Sequence, residues 1–494
     1  MQVIAFIISV SWILAYIPMS PHTQTDTHSR ATASWLALFT GRNGLLALAL
    51  TGGVALHAVN VHIVTTVLPS VVRDIGGLDW YAWNTTLFVV ASILGAVLSV
   101  RLLAASGPRH ACLVALAIFV LGSAACASAQ SMPWMLVGRS VQGLGGGALA
   151  ALSYALIRVV FAPALWPRAV ALVSGMWGVA TLCGPAVGGL FAQAGHWRWA
   201  FWSLLPVALA QALVVQMTLR QASDQPPTVD RHAGIPLVQV MLLIASVLAV
   251  AASGLSSALM VQGAGVASGL MLGAASVAWD RRAPVRLLPL GATRLLSPLG
   301  AVYASIALLL IGTTTEIFVP YFLQVLHGYT PLAAGYLTAA MAAGWSAGSL
   351  LSSGCEAKRA ERLLHAGPML CTAGLLGLAA LMPAAAGLSA GVFTLLCGIA
   401  LASVGAGVGI GWPHLVTRVL TLAPPAEANT ASAAVTTVQL YGMAIGAAVA
   451  GLLANAAGLT DPGGTAGAQS AAAWLFGIFA LAPAAAALLA RRIR

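Results

Sequence analysis

The amino-acid sequence predicts an all-α polytopic membrane protein, and three observations carry that prediction. Some 60% of the 494 residues are hydrophobic and only 7% are charged, against roughly a quarter charged in an ordinary soluble domain. Continuous apolar runs of about 17 to 25 residues, the length needed to cross a bilayer, recur along almost the whole chain. Gly and Ala are spread through those runs, which suits helices that pack backbone to backbone where burying apolar surface gives no drive. A transmembrane barrel is excluded, because its strands would alternate polar and apolar residues.

Cutting the chain at its charged or Pro/Gly-rich breaks gives fourteen segments. The first six are Leu45 to Val71, Trp83 to Leu103, Cys112 to Ala129, Trp134 to Val160, Val170 to Ala192 and Phe201 to Met217. A middle pair follows, Ile235 to Ala252 and Leu259 to Trp279. The last six are Leu299 to Leu326, Ala333 to Leu351, Met369 to Ala385, Val392 to Val416, Ala433 to Leu453 and Ala472 to Ala490. The implied division is an N-terminal segment 1–44, a six-helix bundle 45–219, a linker 220–298 with two further helices, and a second six-helix bundle 299–494.

The Lys/Arg tally tests this count through the positive-inside rule. With the residues before Leu45 in the cytoplasm, alternation places nineteen of the 22 basic residues inside and only Arg73 and Arg198 outside, leaving Arg139 within a helix. A missed or invented helix would invert everything downstream. The net charge of +11 is therefore read as topology and not as nucleic-acid binding, since the basic residues stand one to three at a time between apolar runs. Met1 to Pro18 is a further apolar stretch with no basic region before it. It reads either as an extra helix or as an upstream extension of the reading frame, and Met19, which begins a polar tail, is the preferred start. The six cysteines, Cys112, Cys126, Cys183, Cys355, Cys371 and Cys397, form no C-x-x-C pair and imply neither metal nor disulfides.

Apart from histidine, two ionisable residues sit inside predicted helices, Arg139 and Glu316. Each costs on the order of 2.5 to 3.5 kcal/mol at a helix centre, so both should face protein or water. Glu316 can bind and release a proton as access alternates between the two faces of a membrane. Arg139 opens the run through Gln142, Gly143, Gly145, Gly146 and Gly147. No strand precedes this run and no Lys-Ser/Thr follows it, so it is neither a dinucleotide site nor an ATP motor. Gly143 and Gly147 instead offer a flat face for close packing. In the fifth segment Gly184-Pro185 and Gly188-Gly189 combine a kink with small residues. His57, Asn60 and His62 lie within two turns of the first segment; histidine is the side chain whose charge changes nearest neutral pH, but a spacing of five does not make a zinc pair. Gln142, Trp177, Tyr321, Gln324, Gln439 and Tyr441 complete the groups expected near a substrate path.

Arg139 to Gly147, Gly184-Pro185-x-x-Gly188-Gly189, Trp197-Arg198-Trp199-x-Phe201, and the stretch from Tyr321 through Gln324, Gly328 and Pro331 to Gly335 occur in this order along the chain. Together they resemble the fourteen-helix drug:proton antiporters of the major facilitator superfamily, over Leu45 to the C-terminus. The resemblance implies two six-helix bundles, two extra central helices, alternating access, and export of amphipathic compounds in exchange for protons. It also implies that the Arg139 helix takes part in proton coupling and that the Gly184-Pro185 helix marks antiport. Three positions depart from the pattern. An Asp expected nine residues before Pro69 is Asn60, the loop Asp three residues before Gly107 is Ala104, and the Gly four residues before that is Val100. Gly107 and Arg109 remain as the gating loop. Without the first-helix carboxylate, Glu316 becomes the main candidate for carrying the proton.

The expected function is proton-coupled export of drugs or metabolites, with an uncoupled facilitator as the second reading. Neither an H-E-x-x-H motif nor paired intramembrane carboxylates support an enzyme, and no appended soluble domain supports a sensor. No cofactor is expected. The expected partners are a small-molecule substrate, protons and the lipid bilayer, for a monomer that a periplasmic adaptor could join. Arg in place of nearly all Lys points to a GC-rich bacterial genome and hence to the cytoplasmic membrane.

Overall fold

Lipid leaves apolar helices nothing to gain from hiding more apolar surface, so their association rests on bringing backbones close. In the computed structural model glycines do this. Residues 38–162, 165–219, 234, 236–353, 355–383, 388–424 and 427–493 are described; the Met1 to Pro18 stretch and Met19 lie outside them.

Sixteen α-helices occur among the described residues. In chain order they are α1 (Gly41–Ile75), α2 (Trp83–Ala127), α3 (Met132–Val160), α4 (Trp166–Gln193), α5 (Arg198–Trp202), α6 (Leu204–Thr218), α7 (Leu237–Ser253) and α8 (Leu259–Asp280). There follow α9 (Pro298–Thr313), α10 (Val319–His327), α11 (Pro331–Ser352), α12 (Ala357–Leu381), α13 (Ala390–Leu422), α14 (Ala428–Ala456), α15 (Gly464–Phe479) and α16 (Leu481–Leu489). Eleven stretches are long and apolar enough to cross a membrane.

One of the eleven, Leu78–Ala127, spans 50 residues, far more than a single crossing uses. Gly107 divides it, with φ 75° and ψ 172°, a conformation essentially closed to any side chain with a Cβ. Residues before Gly107 run in the same direction as α3, with Phe88 against Gly143 and Ser92 against Gly147. Those after it run the opposite way, with Phe119 against Gly145, Gly122 against Gln142 and Cys126 against Gly138. The chain therefore reverses at Gly107, and the second and third sequence segments are two passes joined by one residue. Beyond the eleven stretches, α7 is an apolar helix of 17 residues.

Each glycine of the α3 run meets a different neighbour. Gly143 and Gly147 touch the first pass of α2, Gly145 touches the second at Ala115 and Phe119, and Gly146 faces His57 on α1. The same register recurs in α13. There Gly405 and Gly409 touch α11 at Met341 and Trp345, and Gly407 touches α12 at Gly367 and Cys371. A second repeat links α4, whose Gly184 and Gly188 meet His62, Ile63 and Thr66 of α1, with α14, whose Gly442 and Gly446 meet Ala307, Ile311 and Thr314. Two sets of helices are thus built to one plan, down to the positions where backbones touch.

Helix α7 is packed differently. Its Val240, Ile244, Val247, Val250 and Ala251 share an apolar cluster with Phe88, Val89 and Ile93 of α2 and Ala444, Ala448 and Leu452 of α14. It therefore covers the seam between the two sets. Helix α8 lies on α7, with Gly265 against Ser253 and Gly269 against Val250.

Several sequence boundaries need correction; the segment read from Met369, for one, begins at Ala357. Leu299 to Leu326 reads as one unbroken helix, but α9 ends at Thr313 and a 3-10 segment, Thr314–Phe318, separates it from α10. Pro320 cannot donate to the preceding turn. Thr313, Thr314 and Thr315 turn their hydroxyls back onto the carbonyls of Leu310, Ile311 and Gly312 at 2.8, 2.6 and 3.2 Å, bonds that compete with the helix ladder. The last segment begins at Gly464 and not at Ala472.

A Cβ at Gly147 would collide with the backbone at Ser92, whereas Gly175 has nothing within 4 Å. Gly147→Val should therefore lose most monodisperse protein on size-exclusion chromatography, an overpacking cost of about 1–3 kcal/mol or more, while Gly175→Val should elute as the unaltered protein does. Equal behaviour of the two would refute the packing role of the α3 register.

Candidate functional site

Among the described residues, three neighbourhoods bring polar side chains of different helices together around the residues singled out above. In the first, Arg139 is 1% exposed and no carboxylate among the described residues answers its charge. Its Nε donates to the Asn84 carbonyl (3.2 Å) and Nη1 to Gln142 Oε1 (2.5 Å). Gln142 Nε2 donates to Ser123 Oγ (2.8 Å), which in turn donates to the Phe119 carbonyl (2.8 Å). The guanidinium lies 4.0 Å from the centre of the Phe88 ring, an interaction worth about 2 kcal/mol when desolvated. Charge-assisted hydrogen bonds add to it, and together they offset the cost of placing Arg139 between helices.

His57 extends this neighbourhood. Its ring stacks on Phe88 at 5.3 Å between centres and meets Trp177 edge-on at 6.0 Å, so α1, α2, α3 and α4 meet around one imidazole. His57 Nδ1 and both polar atoms of Asn60 are buried without a hydrogen-bond partner. His62 points elsewhere, 3.5 Å from Thr181 Oγ1 and against Gly184. The five-residue spacing already implied that the two histidines would part.

Second is the break between α9 and α10, where Glu316 sits in the 3-10 segment. Among the described residues its carboxylate has no hydrogen-bond or ion-pair partner, and it is partly exposed. Every other acidic residue of the described chain lies at or near a helix end or in a loop. Next to Glu316, Phe318 stacks on Tyr81 at 4.9 Å, and Tyr321 meets Tyr81 edge-on at 5.5 Å. Phe322 continues the cluster to Phe476.

Third is a junction where the two sets of helices touch. Gly335 of α11 lies against Thr66 of α1 and Pro185 of α4, and Gly189 lies against Leu332. Arg73 donates to Gln324 Oε1 (3.2 Å) and Asn455 Nδ2 to the Asp79 carbonyl (3.1 Å). These contacts gather toward the helix ends that carry only Arg73 and Arg198. Arg198 holds the same end within the first set, paired with Asp74 at 2.6 Å, donating to the Ala129 carbonyl at 2.8 Å and stacked on Trp197. His327 bonds the Met382 carbonyl (2.9 Å) and stacks on Phe393 at 4.0 Å, doing the same for the second set. Toward the opposite ends, Gly175 and Gly178 of α4 and Gly411 of α13 have open space beside them.

Residues 50–447 match the Major Facilitator Superfamily. The chain belongs to this superfamily. Among its relatives, a Mycobacterium tuberculosis protein named "Probable multidrug-efflux transporter" is 38% identical over 439 residues, covering 88% of this chain and 92% of that protein. The "Multidrug resistance protein 3" of Bacillus subtilis is 24% identical over 406 residues, covering 81% and 77%. Solved structures similar to it include a POT family transporter bound to a thioalcohol-conjugated peptide (TM-score 0.66, 12% identity, 91% of this chain and 96% of that one). Another is a bacterial homologue of the lysosomal transporter Spinster, in an inward-facing, unoccupied conformation (TM-score 0.59, 15% identity, 92% and 97%). At these identities the structures speak for the fold alone. Membership places the chain among transporters and not enzymes.

Within this facilitator fold the expected site residues separate into groups. Arg139, Gln142, His57 and Trp177 come together; Tyr321 joins the aromatic cluster beside Glu316. Gln324 belongs to the junction, as do Pro185 and Gly189, whereas Gly184 and Gly188 pack on His62, Ile63 and Thr66 of α1 within the first set. Tyr441 is engaged with α7, its hydroxyl 3.0 Å from Ser246 Oγ, while Gln439 is half-buried on α14. Arg109 donates to Gln216 Oε1 (2.9 Å) inside the first set, and Ala104 next to the turn is buried. Tyr81 and Phe318 escaped the sequence reading because aromatic residues in apolar runs carry no signal of their own.

If the junction closes the Arg73 and Arg198 end, a side chain in place of Gly335 should wedge it apart. Gly335→Leu is expected to raise maleimide labelling of Gln324→Cys severalfold when the reagent is added from that end. Unchanged labelling would show that the junction bears no closing load.

Proposed function

We propose that the chain is a fourteen-span secondary exporter of small amphipathic organic compounds in exchange for protons, with Glu316 as the proton carrier. The single observation that carries the coupling is the position of Glu316: an intramembrane carboxylate at a broken helix, without a partner, beside the Tyr81–Phe318 contact that links the two sets of helices. Protonation there would change the charge of a group whose helix forms part of the inter-set contact, and so couple titration to reorientation. Eleven apolar stretches, one of them folded at Gly107, together with α7 and α11 support the count of fourteen. The repeated glycine register supports a division into two like bundles, 45–219 and 299–494, with 220–298 between them.

Contacts between the two sets at the Arg73 and Arg198 end support a conformer closed outward. Efflux rests on the names of the relatives and on the mixed aromatic and polar surfaces around His57 and Glu316, which suit broad-specificity binding. Arg139 would receive anionic groups or tune the proton step from the first set of helices. Residence in a bacterial cytoplasmic membrane, activity as a monomer and use of a periplasmic adaptor belong to the same proposal. Asn60 favours the second reading, an uncoupled facilitator, because an amide cannot titrate where a carboxylate would.

In everted vesicles, substrate uptake driven by an imposed pH gradient should fall to background in Glu316→Gln, while downhill equilibration persists. Full gradient-driven uptake by Glu316→Gln would remove Glu316 from the mechanism, and the absence of any pH-gradient dependence in the unaltered protein would establish the facilitator.

A further inference from the structure

Away from the substrate path, the connection between α8 and α9 forms a cavity of its own. Residues 281–297 leave α8 at Asp280 and enclose about 450 Å³, lined by Asp280, Arg281, Arg286, Gly291, Thr293 and Arg294 among others. The carboxylate in this wall is already committed. Asp280 is 3% exposed and accepts from the Leu287 and Leu288 amides (2.6 and 3.2 Å) and from Gln239 Nε2 (3.3 Å).

The guanidinium groups are far less occupied. Arg281 donates from Nε and Nη2 to Thr293, a neutral acceptor, at 3.0 and 3.2 Å. Arg286 reaches Glu427 only at 3.9 Å, and Glu427 spends its other oxygen on the Leu290 amide at 2.6 Å. The Arg294 guanidinium has no hydrogen-bond or ion-pair partner among the described residues. Three cationic forks thus line a cavity whose own acid is turned into the backbone, an arrangement suited to bidentate capture of a phosphate. The same stretch exposes apolar side chains: Leu290 is 57% exposed, Leu295 60% and Leu296 76%, with Trp279 at 53% just before it. A free anion has no use for these. An amphiphile does, with acyl chains along the leucines and its phosphate on the arginines.

We propose that this cavity binds the phosphodiester headgroup of an anionic phospholipid on the arginine-rich face of the membrane. The test uses the full-length protein in nanodiscs of phosphatidylcholine containing a minor fraction of phosphatidylglycerol, with retained lipid counted by native mass spectrometry. In the unaltered protein, retained lipid should be enriched in phosphatidylglycerol. The paired variant Arg281→Gln with Arg294→Gln should weaken that retention roughly tenfold, and Arg281→Lys with Arg294→Lys should restore part of it. A control pair, Arg491→Gln with Arg492→Gln, removes the same charge from the same face and should leave it unchanged. Equal loss in both glutamine pairs would reduce the effect to general attraction and overturn the site. So would equal retention of the two lipids by the unaltered protein, a measurement that requires no variant to fold. If inorganic phosphate in detergent displaces the retained lipid and stabilises the protein to the same extent, the site takes free phosphate and the lipid assignment fails.

Discussion

Close contact between helix backbones is the constraint on which this structure depends. Glycines at 143, 145 and 147 let one helix meet two antiparallel passes at once, and those at 405, 407 and 409 repeat the arrangement. A Cβ at any of them would strike a carbonyl or amide of the neighbour. Dispersion and weak polar contacts fall off steeply with separation, so the register of the glycines fixes the register of the helices. That in turn fixes which polar side chains share an interior.

Arg139 shows the effect. Four residues before Gly143, it projects from the same face toward α2 and lies over Phe88, while Gln142 and Ser123 bridge it to the following pass. The corresponding position in the second set, four residues before Gly405, is the buried apolar Leu401. One frame therefore hosts a cation in one copy and a methyl-bearing side chain in the other. Glu316 stands in the second set, at a helix break of its own. The two charges, Arg139 and Glu316, are divided between halves built alike, so any coupling between them has to cross the contacts between the two sets, the Tyr81–Phe318 pair among them.

Much of the fold was legible in the sequence, because the physics behind it is one-dimensional. Apolar run length and the placement of arginines identify spans without knowledge of their neighbours. Positions of single residues were legible only where backbone chemistry dictates them, as at Gly107 and in the glycine runs. The break at Glu316 was hidden because three threonines and a proline read as tolerable in a long apolar helix, and their joint effect on the hydrogen-bond ladder appears only in three dimensions. Tyr441 illustrates the reverse. Its side chain suits a cavity, but which helix covers it depends on how α7 packs, and no local pattern encodes that.

The position of α7 has a further consequence. Two seams run between the repeated sets, one between α2 and α14 and one between α4 and α11, and α7 lies along the first as an apolar strip. No helix of the described chain is laid along the second in the same way. The flanks of the molecule therefore differ. A compound dissolved in the bilayer and diffusing toward the interior finds one seam covered by α7 and the other not covered by any helix of the described chain, which makes a two-fold repeated frame one-sided toward its own solvent.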